Sequence, residues 1–292
     1  MDIRLMQYYL AVVREGTISA AAEALHVSQP ALSRQMKDLE EELGVTLFQR
    51  GSRRITLTEE GMILRKRAEE MLRLMQLTEA ELTQARDTVN GEIHIGAGES
   101  HAFHFLSRAA GQLIQEYPAV RVHVVSGDTA DLMDQLNNGL LDFALIFSGF
   151  DRSLYHSLVL PQEDRFGVLM RRDSVLAAKE IVTMDDLIGR PLLISRAADG
   201  HQWSGGETQN MKVVGTYNLI YNASLMVEDG LGYALCFDRL INVSGDSALC
   251  FRPLLPEIRT QGTLIWKRYQ VLSPAVRLFI EKLGDLNPAV TA

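Results

Sequence analysis

The chain has 292 residues, 47% of them hydrophobic, and a formal net charge of −8. That length suits two or three domains with sizeable cores, and two cysteines, Cys236 and Cys250, do not suggest a disulfide framework. No apolar run approaches the roughly 20 residues of a membrane span, and the start lacks the basic-then-apolar order of an export signal, so a soluble cytoplasmic protein is expected.

The acidic total hides a local balance. Residues 1–58 carry 7 basic and 7 acidic groups, so any grip on a polyanion there depends on placement and not on bulk attraction. Leu5, Tyr8 or Tyr9, Val12 and Val13 give residues 3–14 the inward face of a helix, which Glu15-Gly16 breaks. Ile18 to Leu25 reads as a short Ala-rich helix. Thr17 or Ser19 can cap it, reach a phosphate, or do both.

After the tight His26-Val27 turn, Ser28 is placed to cap a second helix and Pro30 fits its first turn. Leu32, Met36, Leu39 and Leu43 recur at spacings of three and four and form one apolar stripe. Gln29, Ser33, Arg34 and Lys37 fall mostly off it, and Gly44 ends the helix. Two short helices joined this way form a helix-turn-helix, whose second helix fits the major groove of DNA. Val45–Gln49 and Ile55–Leu57 are strand-like around Gly51-Ser52-Arg53-Arg54, a wing offering arginines to phosphate.

At these residues the first 60 or so positions resemble the winged helix-turn-helix of the LysR-type bacterial transcriptional regulators. The match runs through Leu5, Ser19-Ala20-Ala21-Ala22, Ser28-Gln29-Pro30-Ala31-Leu32-Ser33, Leu39-Glu40, Leu43-Gly44, Leu47-Phe48, Arg50, Arg54 and Leu57-Thr58-Glu59-Glu60-Gly61. The expected DNA-binding set is Thr17, Ser19, Ser28, Gln29, Pro30, Ser33, Arg34, Lys37, Arg50, Arg53 and Arg54.

Thr58 with Glu59 and Glu60 starts a long helix. Leu64, Ala68, Met71, Met75, Thr78, Leu82 and Ala85 make a heptad seam on a helix running to about Arg86. A partner helix is expected to cover the seam, with packing on its own chain as the alternative. The resemblance implies a dimerising linker that pairs two DNA heads, in a homodimer or homotetramer.

Beyond Asn90-Gly91 the pattern alternates strands and helices, which predicts a parallel α/β sheet. Strands are expected at 92–96, 120–126, 143–147, 166–171, 192–195, 213–215, 233–237 and 264–267. Helices are expected up to Tyr117, at 131–138, 184–188, 219–229 and 273–283. The resemblance implies a two-lobed effector domain similar to the type 2 periplasmic binding proteins. The expected fold is thus multidomain: an all-α winged helix-turn-helix (1–58), a linker helix (59–88) and a two-lobed α/β effector domain (89–292). Its lobe one would be 91–161 plus 267–292, and its lobe two 162–266.

Ligands in open α/β folds bind at strand carboxyl ends beside helix N-termini. The candidate effector-binding residues there are Ser100, His101, Thr129, Phe147, Ser195, Arg196, Asn222 and Phe237, the last standing where the family often has proline. Ser100 and Thr129 could instead cap helices, and Arg196 could be a salt-bridged surface group. His101 and His104, three apart, are read as packed or solvated and not as metal ligands. Gly96-Ala97-Gly98 lacks the third glycine of a dinucleotide fingerprint and is read as a tight turn into a helix. No phosphate-cradling loop or nucleophile elbow appears. Cys236 and Cys250 lie in apolar strand-like runs and are read as buried inert thiols, against the redox switch that the resemblance offers as the alternative. The glycine-rich stretch 199–206, with Trp203, is either a lid or a surface loop.

The sequence therefore predicts a non-enzymatic transcription regulator with no cofactor or metal. Its partners would be double-stranded DNA at an interrupted inverted repeat and a small-molecule effector, leaning to a small organic acid. RNA polymerase is a possible further partner. A plain solute-binding module and an enzyme using the α/β cleft are the rivals.

Overall fold

The computed structural model describes residues 2–50, 55–83, 89–196 and 211–286. The chain divides into two compact units, Met1–Ala85 and Arg86–Ala292.

In the first unit, α1 (Ile3–Glu15) is capped by Asp2, whose carboxylate accepts the Leu5 amide at 2.8 Å. It ends at Gly16, which holds the left-handed φ of 71° that a side chain would resist. α2 (Ile18–Ala24) is capped by the Thr17 hydroxyl. His26, at φ 55°, turns the chain into α3 (Gln29–Leu43). Ser28 occupies the N-cap position of α3, but its hydroxyl makes no capping hydrogen bond. Pro30 at the second helical position removes one of the two amides such a hydroxyl would accept from.

The core of this unit joins Met6, Tyr9 and Val12 of α1, Ala21 and Ala22 of α2, and Leu32, Met36 and Leu39 of α3. A two-stranded ribbon follows, β1 (Phe48–Arg50) paired antiparallel with β2 (Ile55–Leu57). It begins later than the expected Val45 because the Glu40 carboxylate accepts the amides of Leu47 and Phe48, tying the ribbon's start to α3.

Thr58 starts α4 (Glu59–Thr83), accepting the Gly61 amide and donating to Thr46 O. At ~1.5 Å per residue its 25 residues span about 37 Å. A Cβ at Gly61 would stand 2.3 Å from Leu47 O, so only glycine lets the helix pass. The Tyr9 hydroxyl donates to Gly61 O at 2.6 Å, and burial pushes its pKa up to about 12. Leu64, Ala68 and Met71 pack on this unit's own core. The first half of the heptad seam is thus covered in cis, against the expectation of a partner helix there. Leu82 and Ala85 lie outside the side chains described.

The second unit is built on a mixed ten-stranded sheet and not on an all-parallel one. The strands are β3 (Gly91–Ala97), β4 (Val120–Ser126), β5 (Phe143–Ile146), β6 (Tyr155–Arg171), β7 (Val182–Thr183), β8 (Pro191–Ser195), β9 (Lys212–Tyr217), β10 (Tyr233–Phe237), β11 (Leu249–Leu255) and β12 (Arg259–Lys267). The helices are α5 (Phe103–Glu116), α6 (Thr129–Asn137), α7 (Met184–Leu187), α8 (Ile220–Glu228) and α9 (Pro274–Leu286).

The main path runs β4-β3-β5-β12-β6-β10-β8-β9, with β11 pairing β6 and β7. The parallel pairs β4-β3-β5 and β10-β8-β9 come from strand–helix crossovers. The longest antiparallel pairing is the ribbon of β6 against β12 in the sheet's middle; β6 also pairs antiparallel with β10 and β11, and β12 with β5. Its register shifts between Gln261 and Thr263, opposite Pro161, whose missing N–H cannot serve the ladder. Buried side chains gather in separate clusters on either side of this ribbon. One pair of clusters centres on Ile95, Phe105, Phe143 and Phe279 and on Leu132, Leu136 and Ile146. The other centres on Val168, Leu192 and Leu235 and on Leu193, Ala223 and Val227.

Candidate nucleic-acid interface and ligand cavity

In the first unit, burying Leu32, Met36 and Leu39 turns the opposite face of α3 to solvent. Gln29, Pro30, Arg34 and Lys37 are exposed there and Ser33 is half-buried, lining one shallow groove with Asp38 and Glu41. Ser28 and Ser19 are also exposed, while Thr17 is half-buried and engaged as a cap. Lys37 pairs with Glu41 at 3.1 Å one turn on, so part of its charge is answered within the helix. The Arg50 side chain, Arg53 and Arg54 lie outside the described atoms.

In the second unit a cavity of about 100 Å³ opens where β3, β5, β8 and β10 end. Thr129, Phe147, Ser195 and Phe237 line it. Phe237 packs against Phe147 and Phe166, with ring centroids 5.1 and 4.4 Å apart, so three aromatic rings wall one side. The four other candidate effector residues do not line it. Ser100 is buried, donating its hydroxyl to Asp164 and accepting the Ala102 amide. His101 donates its backbone amide to the same carboxylate at 3.1 Å and lines a separate surface groove. Arg196 holds Asp128 and Asp131, each at 2.6 Å. Asn222 is exposed on α8, because Ile220, Ala223 and Val227 take that helix's inward face. Thr129 does not cap α6; Asp128 does, accepting the Asp131 amide at 3.0 Å. The stretch 199–206 lies outside the described residues.

Sequence reasoning missed Glu99, which also lines the cavity. It leaves the end of β3 and its carboxylate accepts the Ile220 amide at the start of α8. The one sequence signal was its place beside Ser100, at a strand end. Burial raises the pKa of Glu99, opposed by that amide. Burial likewise raises Asp128, but the Asp131 amide and Arg196 outweigh it and the net shift is downward. Buried Asp164 on β6 is raised by desolvation, against the pull of Ser100 and His101. Gly96 and Gly98 serve close packing more than a turn: a Cβ at Gly96 would meet Leu141 at 2.5 Å, and one at Gly98 would meet the Phe147 ring at 3.3 Å.

The other lining groups are Ser148, Asn218, the Tyr217 ring and aliphatic carbons of Leu145, Ile220, Leu235 and Leu240. The Tyr217 hydroxyl is spent on Leu235 O, and burial raises its pKa. Among the described lining residues two are carboxylates and none is a base. Cys236 also borders the cavity; burial, then Asp238, raise its thiol well above the ordinary range. Cys250 is raised by burial too.

The architecture is thus that of a helix-turn-helix protein with an appended α/β unit that carries a cavity at its strand ends. Residues 3–62 match the model of the bacterial regulatory helix-turn-helix protein, lysR family, and residues 86–287 that of the LysR substrate binding domain. The chain belongs to the LysR family. A hydrogen peroxide-inducible genes activator of Pectobacterium carotovorum subsp. carotovorum is 31% identical over 201 residues, 69% of this chain and 66% of that one. The chain thus spans just under two thirds of the curated relatives it first matches. The crystal structure of CbnR, a LysR family transcriptional regulator, shares the fold with a TM-score of 0.74 at 18% identity, covering 98% of this chain and 99% of that one. CbnR in complex with its target DNA gives 0.72 at 18%, with the same coverage. Among the described residues no helix is long and apolar enough to cross a membrane.

Proposed function

We infer that this chain is a sequence-specific transcription regulator of the LysR type, controlled by a small molecule held in the cavity of its second unit. The observation that carries the reading is the face of α3: three buried residues anchor the helix while Gln29, Pro30, Ser33 and Arg34 stay available to base edges. Thr17, Ser19, Ser28, Lys37, Arg50, Arg53 and Arg54 are assigned to phosphates. Two copies paired through α4 would read an interrupted inverted repeat. The division into 1–58, 59–88 and 89–292, with lobes 91–161 plus 267–292 and 162–266, follows the same reading. So does a cytoplasmic location, and no catalytic step is assigned.

The lining supports an effector class. A small organic acid, the expectation from sequence, would meet the carboxylates of Glu99 and Asp128 with no base among the described lining residues. A neutral or cationic molecule with a small apolar body fits the three phenylalanines and Glu99 better. Both cysteines of this chain are buried and burial raises both thiols, which disfavours the thiolate that peroxide attacks, so the peroxide response in the relative's name is not assigned to this chain.

Selection of bound duplexes from a random DNA pool tests the reading. Enrichment of an inverted repeat, with a log K against log salt slope of several units at roughly −0.9 per phosphate contact, is the expected result. Folded protein that enriches nothing would leave a solute-binding module as the better account.

A further inference from the structure

The parallel register of β3 and β4 sets His94 beside His123, and Glu92, two residues before His94, projects on the same face. The two imidazoles stack with centroids 4.7 Å apart and planes 8° from parallel. Both present Nε2 to one carboxylate: Glu92 Oε2 is 3.6 Å from His94 and Glu92 Oε1 is 3.7 Å from His123. On the far side of the His94 ring, Nδ1 faces Asp142 Oδ2 at 3.6 Å. That Nδ1 is buried with no hydrogen-bond partner among the described residues, while the same Asp142 oxygen accepts the His94 amide at 2.7 Å.

We propose that Glu92, His94 and His123 form a zinc site, with Asp142 orienting His94 behind it. Two imidazoles and a carboxylate are a zinc donor set with the fourth position left to water. The nitrogen donors disfavour calcium and magnesium. A metal-bound histidine ordinarily gives its second ring N–H to a carboxylate or carbonyl, which fixes the tautomer and frees the other nitrogen's lone pair. Asp142 stands where that partner belongs. Zinc on Nε2 puts the proton on Nδ1 and draws it toward Asp142, giving the orphaned atom a role.

The spacing is compatible. The ligand atoms lie within 4.8 Å of one another, and tetrahedral ligands at ~2.1 Å stand about 3.4 Å apart. Side-chain rotation closes that gap, because Glu92 and His123 are 48% and 46% exposed while buried His94 supplies the fixed ligand. His101 and His104, the pair conspicuous in sequence, have no such third ligand among the described residues.

Isothermal titration of metal-stripped, untagged full-length chain with Zn²⁺ tests the site, with Co²⁺ absorption as the spectroscopic readout. One ion per chain is expected. His123→Ala and Glu92→Gln, both at exposed positions, should each weaken binding at least tenfold and abolish the Co²⁺ visible band without lowering the metal-free Tm. Asp142→Asn should weaken binding by roughly 10- to 100-fold. Absence of zinc binding at about 100 µM would overturn the proposal. So would affinity that survives His123→Ala, or affinity lost on His101→Ala instead.

Discussion

Arg34 and Lys37 share the exposed face of α3 but are not equivalent. Lys37 has Glu41 at 3.1 Å, whereas Arg34 forms no ion pair among the described residues and its planar fork suits base edges. We expect Arg34→Ala to cost about 1–3 kcal/mol of specific DNA affinity and Lys37→Ala clearly less. Anisotropy titrations over a salt series measure both; equal losses would return α3 to a purely electrostatic role. The cysteines carry a second prediction at this scale. With Cys236 and Cys250 buried and their thiols held protonated, hydrogen peroxide should leave DNA affinity and its effector dependence unchanged. An oxidation-dependent shift removed by Cys236→Ser would refute that.

At the scale of elements, α3 is secured by few contacts of high value. Leu39 is fully buried between helices, so Leu39→Ala should lower stability by about 2–5 kcal/mol, measurable by urea unfolding. α4 divides its apolar residues differently. Leu64, Ala68 and Met71 pack on the unit's own core, but Ile63 and Leu74 remain 64% and 42% exposed on the other side. Pairing through the described first half of α4 would then use that second stripe. Leu74→Asp should shift the self-association equilibrium toward monomer in sedimentation experiments, while Met71→Asp should unfold the unit. If Leu74→Asp leaves the assembly intact, α4 is not the pairing surface.

At the scale of the whole molecule, the polar bridges around the cavity tie distant segments of the second unit: Glu99 to α8, Ser100 and His101 to Asp164 on β6, and Arg196 to the start of α6. Asp164 makes one of them dependent on pH. Burial raises its native pKa, whereas an unfolded aspartate titrates near ~3.9. As pH climbs through that window the native state keeps a proton the unfolded state has lost, so this residue's contribution to stability falls. The stability of the wild type minus that of Asp164→Asn should therefore decline as pH rises from about 3.9, then flatten above the native pKa. A rising difference would mean that the hydrogen bonds from Ser100 and His101 outweigh desolvation. Local pattern set much of this molecule: α1 to α4, the alternation through β5, β10 and α8, and the exposed face of α3 follow from three- and four-residue spacing, glycine stops and capping hydroxyls. Pattern could not show residues 155–165 as strand, because Pro161 and a charged run argue against one until β12 supplies a partner with its register shift at that point. Nor could it make the sheet mixed, choose Glu99 over Arg196 for the cavity, or assign half of the α4 seam to its own core. Those outcomes depend on what stands opposite each residue, as does the meeting of His94 with His123 across a parallel pair of strands. One chain's periodicity states which face is buried; only the folded packing decides what buries it.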